Sequence, residues 1–339
     1  MKAAVFHGPR DIRIEDAPDP EVQPDGIIMK VRDCGICGSD LHPYKLASKK
    51  MILGHECSGD IVAVGSNVSH LYEGDRVAAI GIRPCRECYW CRRGQTQNCV
   101  TLQWPGSPVL PGAFAEYASI PCLRVGSFDT VVKLPEPMSY EQGATVEPLS
   151  IALFSITSAG IQTQDTVVII GAGMIGLCAL LVLKAMGASR VIVSGRRSKR
   201  LQLARDNGAD VVVDAAQEDL VPIVREVTSG AGADVVLECA GVPATYEQAI
   251  RVTRKHGKVV LIGIFEESIT WNPNVAVAQN LTLLGCLGED FPGALDLLST
   301  SRADTDQLIT HRVPFDLTRD GFETQLTADD AIKVMVKIA

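Results

Sequence analysis

The feature that most constrains the fold is an apolar run that ends in a glycine-rich loop and continues as an apolar helix pattern. Residues Thr166–Ile170 predict a buried strand, residues 171–176 read GAGMIG, and Gly176–Met186 predicts a helix. Glycines in such a loop let the backbone approach a pyrophosphate, which then lies at the helix N-terminus. A glycine-rich turn without a ligand is the simpler alternative, but strand, loop and helix in this order are typical of a Rossmann dinucleotide site. The expected cofactor contacts are Gly171, Gly173, Met174, Ile175 and Gly176.

Strand-like and helix-like segments alternate from about residue 149 to 290, which indicates βαβ units and a parallel sheet. Residues before about 148 instead show short strands and loops, such as Ile27–Val31 and Gly59–Val64. After about residue 295 we expect a short helix, a strand near Ile309–Phe315 and a last helix over Asp329–Ile338. The further strands predicted in the alternating region are Arg190–Ser194, Val211–Asp214, Asp234–Glu238, Lys258–Ile262 and Leu281–Cys286.

Length and charge narrow the class of protein. The chain has 339 residues, more than one compact core holds, so two domains are expected. A net charge of −8 weighs against a nucleic-acid partner, because phosphate binding needs clustered Lys and Arg. The uncharged run Val167–Leu183 is short for a membrane span and is interrupted by glycines. We therefore expect a soluble, cytoplasmic protein without a membrane partner.

Four cysteines follow the spacing C-x2-C-x2-C-x7-C within residues 84–100. Four thiolates give zinc the closed tetrahedral shell of a structural site, and Gly94 helps the loop to turn around the ion. An iron–sulfur cluster also uses four thiolates, but its usual bacterial motif has a different last spacing and a following proline. Four unrelated core cysteines are disfavoured by the polar residues between them. The predicted zinc ligands are Cys85, Cys88, Cys91 and Cys99.

A second group of potential ligands has a different character. Cys37 lies in DCGICGSDLH, and His55 and Glu56 lie in ILGHECSG, both rich in glycine. A thiolate, an imidazole and a carboxylate can hold zinc with one position open for substrate. Glu147, in ATVEPLS, is another candidate carboxylate, although it is equally interpreted as an acid at a helix start beside Pro148.

The end of the second predicted strand bears on the choice of cofactor. NAD enzymes place Asp or Glu there for the ribose 2′-hydroxyl, whereas this chain has Gly195, Arg196 and Arg197. Guanidinium groups match phosphate oxygens, so the substitution predicts NADP rather than NAD. The alternative is a solvated basic helix start, since Lys199 and Arg200 are nearby.

These motifs together resemble the zinc-containing medium-chain dehydrogenases, with the sorbitol and threonine dehydrogenase branches most similar. The matching segments are CGICGSDLH, GHE, the four cysteines, VEPLS, GAGMIG and ITHRVPF. The resemblance implies a mainly β GroES-like catalytic domain formed by both chain ends, with an α/β Rossmann domain of doubly wound parallel sheet inserted between them. The expected limits are 1–148 and 295–339 for the first, including a zinc lobe at 84–100, and 149–294 for the second.

The resemblance also implies residue roles. Cys37, His55 and either Glu147 or Glu56 surround a catalytic zinc, and the four cysteines hold a structural zinc, giving two zinc ions per subunit. Such a zinc acts as a Lewis acid toward an alcohol. The positions of Ser39 and His42 match the proton relay of the family, and those of Gly171, Gly173, Gly176 and Arg196 match cofactor-binding positions.

The implied reaction is hydride transfer between a secondary alcohol or diol, or its ketone, and NADP(H). One departure concerns polyols: sorbitol-type relatives carry an Arg-Tyr pair where this chain reads GCLGEDFPGA. If Glu289 and Asp290 lined the pocket, they would repel anions and favour a hydroxyl or an ammonium group, whereas at a helix start they would simply face solvent.

Several alternative functions are also compatible with the sequence. Among enzymes they are a threonine-type amino-alcohol dehydrogenase, an NAD-dependent polyol dehydrogenase and an aldehyde reductase. A nucleotide-binding sensor is the non-enzymatic alternative. Zinc-free quinone-reductase-like relatives are disfavoured because they lack the Cys37 and His55 pair and the four cysteines. By resemblance, the strand Leu281–Cys286 would pair across a two-fold axis in a homodimer or homotetramer.

Overall fold

The structure is a computed structural model that describes residues 1–46, 49–107, 109–125 and 128–339, without the side chains of Val125 and Phe128. Its contacts divide the chain into two compact units. The terminal unit comprises Met1–Ser150, Asp290–Ser301 and Thr305–Ala339, and the central unit comprises Ile151–Glu289 with Arg302–Asp304. The predicted Rossmann segment 149–294 differs from the central unit at both ends, since residues 149–150 and 290–294 lie in the terminal unit. Arg302–Asp304, predicted in the catalytic domain, lie in the central unit. Within the described ranges, every helix is too short or too polar to cross a bilayer.

The strands and helices are numbered in chain order. The strands are β1 (Lys2–Gly8), β2 (Asp11–Asp16), β3 (Gly26–Gly35), β4 (Glu56–Val64), β5 (Arg76–Ala79), β6 (Tyr117–Pro121), β7 (Arg124–Val125), β8 (Phe128–Asp129), β9 (Val131–Lys133), β10 (Thr166–Ile170), β11 (Arg190–Gly195), β12 (Val211–Asp214), β13 (Ala233–Glu238), β14 (Thr253–Leu261), β15 (Thr282–Gly285), β16 (Ile309–Pro314) and β17 (Lys333–Lys337). The α-helices are α1 (Gly38–Leu46), α2 (Tyr140–Ala144), α3 (Val146–Ala159), α4 (Met174–Ala185), α5 (Ser198–Asp206), α6 (Leu220–Val227), α7 (Pro243–Val252), α8 (Asn274–Gln279), α9 (Phe291–Ser299) and α10 (Thr318–Thr327).

The terminal unit is built around a mixed sheet with the order β16-β17-β3-β4-β5-β9, and β6 pairs with β3 as well. Strand β3 is antiparallel to both β17 and β4, so Gly35 lies opposite Met335 on one side and Glu56 on the other. Four aromatic rings pack edge-on or tilted in its core, with centroids 5.0–5.9 Å apart. They belong to Phe6, Tyr44, Phe114 and Phe322.

The central unit contains a six-stranded sheet with the order β12-β11-β10-β13-β14-β15, in which every pairing is parallel. Strand β10 is buried along its whole length, as expected when helices cover both faces of a parallel sheet. After β10, the chain adds β11 and β12 on one side of this strand and then β13, β14 and β15 on its other side. The carboxyl ends of β10 and β13 therefore border the switch point where doubly wound sheets bind ligands. This confirms the predicted Rossmann sheet.

The last predicted helix is wrong. Residues Asp329–Ile338 contain β17, and the helix of this region, α10, comes earlier, where none was predicted. Strand β17 lies inside its sheet between β16 and β3, so Val334, Met335 and Val336 are all buried. A short run buried on both faces has no period-2 signal to distinguish it from a helix. The two β-branched valines were the local signal in favour of a strand.

Candidate metal and cofactor sites

The four cysteines of the loop at residues 85–99, here called the cysteine loop, converge on one point. The Sγ atoms of Cys85 and Cys91 are 3.9 Å apart, and those of Cys88 and Cys91 are 3.5 Å apart. Tetrahedral zinc with Zn–S bonds of about 2.3 Å requires sulfurs about 3.8 Å apart, so the spacing fits the ion. Gly94, with φ of 75°, makes the left-handed turn that closes the loop.

Electrostatics within the cysteine loop also favour a cation. The amides of Cys85 and Cys88 donate hydrogen bonds to the sulfurs of Cys99 and Cys85, at 3.2 and 3.3 Å. Backbone amides lower the pKa of Cys88 to about 6, whereas burial and the neighbouring Cys88 sulfur raise the pKa of Cys91 to about 12. Four thiols this close therefore lose their protons together only if a cation balances them.

Cys37, His55 and Glu56 form a second group, here called the mixed cluster, whose ligand atoms all lie within 4.8 Å of one another. Cys37 lies between β3 and α1, His55 directly precedes β4, and Glu56 is the first residue of β4. Pairing of β3 with β4 brings these segments together. The group offers a sulfur, a nitrogen and an oxygen, a donor set suited to zinc with one open position.

Asp40, which the sequence analysis did not single out, links two members of the mixed cluster. Its Oδ1 lies 3.6 Å from Nδ1 of His55, and its Oδ2 accepts a hydrogen bond of 3.0 Å from the amide of Cys37. Burial by itself would lower the pKa of His55, but the charges of Asp40 and Cys37 raise it above its ordinary value. A carboxylate in this position orients a metal-binding imidazole. The position of Asp40, three residues after Cys37, is the sequence signal that could have indicated this contact.

Glu56 is also held from the opposite side by a buried lysine. Lys333 of β17 donates to Glu56 Oε1 at 2.7 Å and to the carbonyl of Ile36 at 2.9 Å, and both charged side chains are only 2% exposed. Burial would lower the pKa of Lys333, but the charge of Glu56 raises it. A Cβ at Gly35 would overlap the Glu56 carboxylate, so a side chain there would displace Glu56 from this position. Lys333 is not recognisable from the sequence, because the pattern of its segment predicts a helix.

The other predicted residues of this region lie on two helices. Glu147 is buried in the first turn of α3 and is outside the 4.8 Å group, although its charge helps to raise the pKa of Lys333 and Cys57. Both carboxylates thus remain candidates for the metal. Ser39 and His42 are three residues apart on α1, with Ser39 half-buried and His42 exposed. Residues at that spacing lie on one face of a helix.

The glycine loop after β10 has the conformation that its sequence predicts. Gly171 has φ of 107°, and its amide donates to the carbonyl of Ser194 at the end of β11. Gly173 caps α4, so the first amides of that helix point toward the loop. A Cβ at Gly176 would overlap the carbonyl oxygen of Gly171. This is the close approach of loop and helix that a pyrophosphate cradle requires.

Arginines gather on the β11 side of this loop. Gly195 ends β11, Arg196 is exposed, and Arg197 occupies the cap position of α5. Arg200, one turn along α5, places Nη1 3.7 Å from the Cβ position of Gly173. From the sequence, Arg200 is interpreted only as part of a basic helix start, but the structure places its guanidinium against the glycine loop.

Two family models match this chain. The alcohol dehydrogenase GroES-like domain matches residues 23–135, and the zinc-binding dehydrogenase domain matches residues 175–300. The sorbitol dehydrogenase of Bacillus subtilis is 33% identical, over 99% of this chain and 97% of its own.

Two solved structures show the same whole-chain likeness. One is 2R,3R-butanediol dehydrogenase from Bacillus subtilis, with a TM-score of 0.88 and 32% identity over 100% of this chain and 99% of its own. The other is a zinc-binding dehydrogenase from Sinorhizobium meliloti solved with NADP, with a TM-score of 0.90 and 31% identity over 99% of each chain. The chain belongs to the zinc-dependent medium-chain alcohol dehydrogenases. It is an oxidoreductase that acts on the CH–OH group of an alcohol or diol, with zinc and a nicotinamide cofactor.

Glu289 and Asp290, which stand near the position of the missing Arg-Tyr pair, differ in burial and in hydrogen bonding. Asp290 caps α9 by accepting a hydrogen bond of 3.0 Å from the amide of Gly293, as the helix-start interpretation predicts. Glu289 is instead buried, with 4% of its surface exposed, so it does not face solvent.

Proposed function

We propose that this dehydrogenase is NADP(H)-dependent and interconverts a small neutral secondary alcohol or vicinal diol with its ketone. The observation that carries the proposal is the mixed cluster, in which a thiol, an imidazole and a carboxylate converge while Asp40 orients two of them. A structural site would be expected to close its shell with four protein ligands, whereas this group offers three.

Each predicted site residue has a role in this proposal. Cys37, His55 and either Glu56 or Glu147 hold the catalytic zinc, which when bound supplies a Lewis acid for the alcohol oxygen. Ser39 accepts the proton of the substrate hydroxyl and passes its own proton toward His42. His42 is exposed on α1 and can exchange a proton with water. The cysteine loop holds the second zinc, so each subunit carries two.

NADP preference is supported by the arginines around the glycine loop. The pyrophosphate would lie over Gly171, Gly173, Met174, Ile175 and Gly176, where α4 begins. Gly195 ends β11 beside the glycine loop, and Arg196 and Arg197 supply guanidinium groups in place of the acid that an NAD enzyme uses. Arg200 adds a further positive charge near the same loop. Hydrogen bonds to charged groups are worth about 1.5–3 kcal/mol, which corresponds to at least about tenfold discrimination.

The neutral-substrate part of the proposal is argued from charge and from part of the relatives. The matched proteins include a sorbitol dehydrogenase and butanediol dehydrogenases, whose named substrates are uncharged polyols or diols. They also include an L-idonate 5-dehydrogenase and a galactitol-1-phosphate dehydrogenase, whose named substrates are anionic, so the substrate assay has to decide. If Glu289 lines the substrate site, its carboxylate would disfavour a phosphate or carboxylate group there. The same carboxylate would welcome an ammonium group, so a threonine-type amino-alcohol dehydrogenase is the second candidate.

We also propose that the enzyme is a homodimer or a homotetramer that pairs through β15. This strand is the last of the central sheet and carries exposed Thr282 and Leu283. An edge strand with an open backbone ladder readily pairs with another strand. Light scattering coupled to gel filtration, with Leu283→Lys expected to shift the mass toward the monomer, tests this.

The deciding experiment measures kcat/KM with NADPH and NADH for three substrate types side by side. They are a neutral vicinal diol, an amino alcohol and a phosphorylated polyol, each assayed with its ketone where stable. We expect the diol and NADP(H) to be preferred, and Arg196→Ala to reduce kcat/KM with NADP by about tenfold while leaving NAD unchanged. Equal use of NAD would refute the cofactor proposal. Preference for the phosphorylated polyol would refute the substrate proposal, and preference for the amino alcohol that falls on Glu289→Gln would favour the second candidate.

A further inference from the structure

Glu238 is a fully buried carboxylate at the carboxyl end of β13. Strand β13 is the direct neighbour of β10, and Glu238 pairs with Ile170, the residue before the glycine loop. Neither the zinc sites nor the arginines involve it. Burying a carboxylate costs free energy unless its oxygens accept hydrogen bonds, so the hydrogen-bond donors around Glu238 indicate its structural role.

The Glu238 side chain holds the segment that follows β13. Its carboxylate accepts hydrogen bonds of 3.0 Å from the amides of Ala240 and Gly241 and one of 2.7 Å from the hydroxyl of Thr245. Burial raises the pKa of Glu238, and these donors act in the opposite direction. Its backbone carbonyl accepts from Ile262 and Gly263, both at 2.9 Å. One residue thus ties together the loops that follow β13 and β14.

The segment that Glu238 holds lies directly against the dinucleotide loop. A Cβ at Gly171 would come within 3.0 Å of the Ala240 amide nitrogen and the Cys239 carbonyl carbon. The amide of Cys239 donates to the carbonyl of Ile170 at 2.9 Å. Gly241 has φ of 70°, a left-handed conformation that the two hydrogen bonds to Glu238 stabilise. A shift of residues 239–241 would therefore change the wall beside Gly171.

The position of this wall indicates which half of the cofactor it serves. The arginines that would bind the adenosine end lie beyond β10 on the β11 side. A dinucleotide crosses the switch point of a doubly wound sheet, so its other half lies on the β13 side. We propose that Glu238 is a positioning residue for the nicotinamide half of the cofactor, acting through Cys239–Gly241. The inference rests on the nicotinamide cofactor of the family, and it holds whether NADP or NAD is preferred.

The test compares the whole cofactor with its adenosine half in protein with Glu238→Gln. The amide of glutamine turns one acceptor into a donor that faces the backbone amides of Ala240 and Gly241, so the hydrogen-bonded arrangement is lost. Calorimetry would measure the Kd of NADP and NAD, and of adenosine 2′,5′-bisphosphate and ADP, which both lack the nicotinamide and its ribose. We expect the whole dinucleotides to bind about tenfold more weakly and the adenosine-half ligands to bind within twofold of the parent protein.

Two results would overturn the proposal. One is an equal loss for dinucleotides and fragments, which would show a general loosening of the central unit. The other is unchanged binding of all four ligands. A matched control is Asp219→Ala, which removes the side-chain cap of α6 in the same unit and should reduce stability without a selective loss of dinucleotide affinity.

A second pair of measurements keeps the proposal testable if Glu238→Gln folds poorly. Thr245→Val removes one donor to the carboxylate and should weaken dinucleotide binding by about twofold to fivefold, again sparing the fragments. Hydrogen exchange in cofactor-free protein should show faster exchange at Ala240 and Gly241 in this variant, with β10 unchanged. Uniformly faster exchange across β10 and β13 would contradict a positioning role. A failure of the NADP preference would appear as a reversed order of the two dinucleotides, which is a distinct outcome.

Discussion

The cysteine loop and the mixed cluster both bring metal-binding atoms together, but the chain builds them in opposite ways. The cysteine loop draws all its sulfurs from residues 85–99, in turns and short 3-10 helices without a strand. The mixed cluster draws on two segments that meet through β3 and β4, and Lys333 of β17 joins from the far end of the chain. Local spacing determines the first site, whereas sheet pairing determines the second.

This difference has consequences for stability. Around the cysteine loop, the side chains of Tyr89, Trp90 and Val100 are exposed, so few apolar contacts hold its shape. The mixed cluster lies beside a hydrophobic core, and its oriented contacts to Asp40 and Lys333 are formed by protein groups alone. We therefore expect the cysteine loop to depend on its metal for folding, and the mixed cluster to keep its structure without metal.

The largest effect is expected from Cys91→Ser. The substitution leaves three thiols in the cysteine loop, so one of the two proposed zinc ions should be lost and the apparent unfolding temperature should fall by about 10 °C or more. Metal analysis and thermal denaturation on the same sample measure both effects. Cys122→Ser is the control, since Cys122 lies outside the four-sulfur group and its thiol stays protonated, with burial raising its pKa to about 12. Unchanged zinc content in Cys91→Ser would contradict the structural role.

Next in size is Lys333→Met, which removes the positive charge beside Glu56. Breaking a buried ion pair costs about 3–5 kcal/mol, because the remaining charge is left buried without a partner. Urea denaturation would measure this loss of unfolding free energy, and Lys333→Arg, which keeps the charge, should recover much of it. A loss below about 1 kcal/mol would show that Glu56 has another counter-charge. The double variant Glu56→Gln, Lys333→Met should be more stable than Lys333→Met alone.

His55→Ala is expected to separate activity from folding. Mutating a residue that only hydrogen-bonds to a metal ligand typically lowers activity by about 10-fold to 100-fold. Removing the ligand itself should cost more, so kcat/KM should fall by at least about a hundredfold, which corresponds to about 2.7 kcal/mol. The unfolding temperature should change little compared with Cys91→Ser, because strand pairing and not the metal holds this region. His311→Ala, a histidine of β16 outside the mixed cluster, is the control. Retained activity in His55→Ala would exclude the proposed catalytic zinc.

The same contrast explains what could be predicted from the sequence. Strand β10 has the predicted limits, and the four sulfurs meet as their spacing indicates, because both depend on neighbouring residues. Cys37, His55 and Glu56 were recognised by motif, but their partner Lys333 was not. Its contact with Glu56 spans nearly the whole chain and depends on β17 entering the sheet beside β3. Such a pairing leaves no local periodicity in the sequence, so the pattern of a strand buried on both faces also predicts a helix.

The smallest expected effect concerns a contact inside the cysteine loop itself. The guanidinium of Arg93 lies 3.6 Å from the ring centre of Tyr89, and its Nη1 donates to the Tyr89 carbonyl at 3.3 Å. An exposed cation–π contact is worth about 0.5–1 kcal/mol, so Arg93→Ala should speed zinc release to a chelator about twofold to fivefold. Arg93→Lys keeps a cation, so its rate of zinc release should lie between those of the parent protein and Arg93→Ala. Because this contact stays within the loop, activity under zinc-saturated conditions should not change. A loss of activity with zinc still bound would show that the cysteine loop influences the catalytic region, and the two sites would no longer be independent.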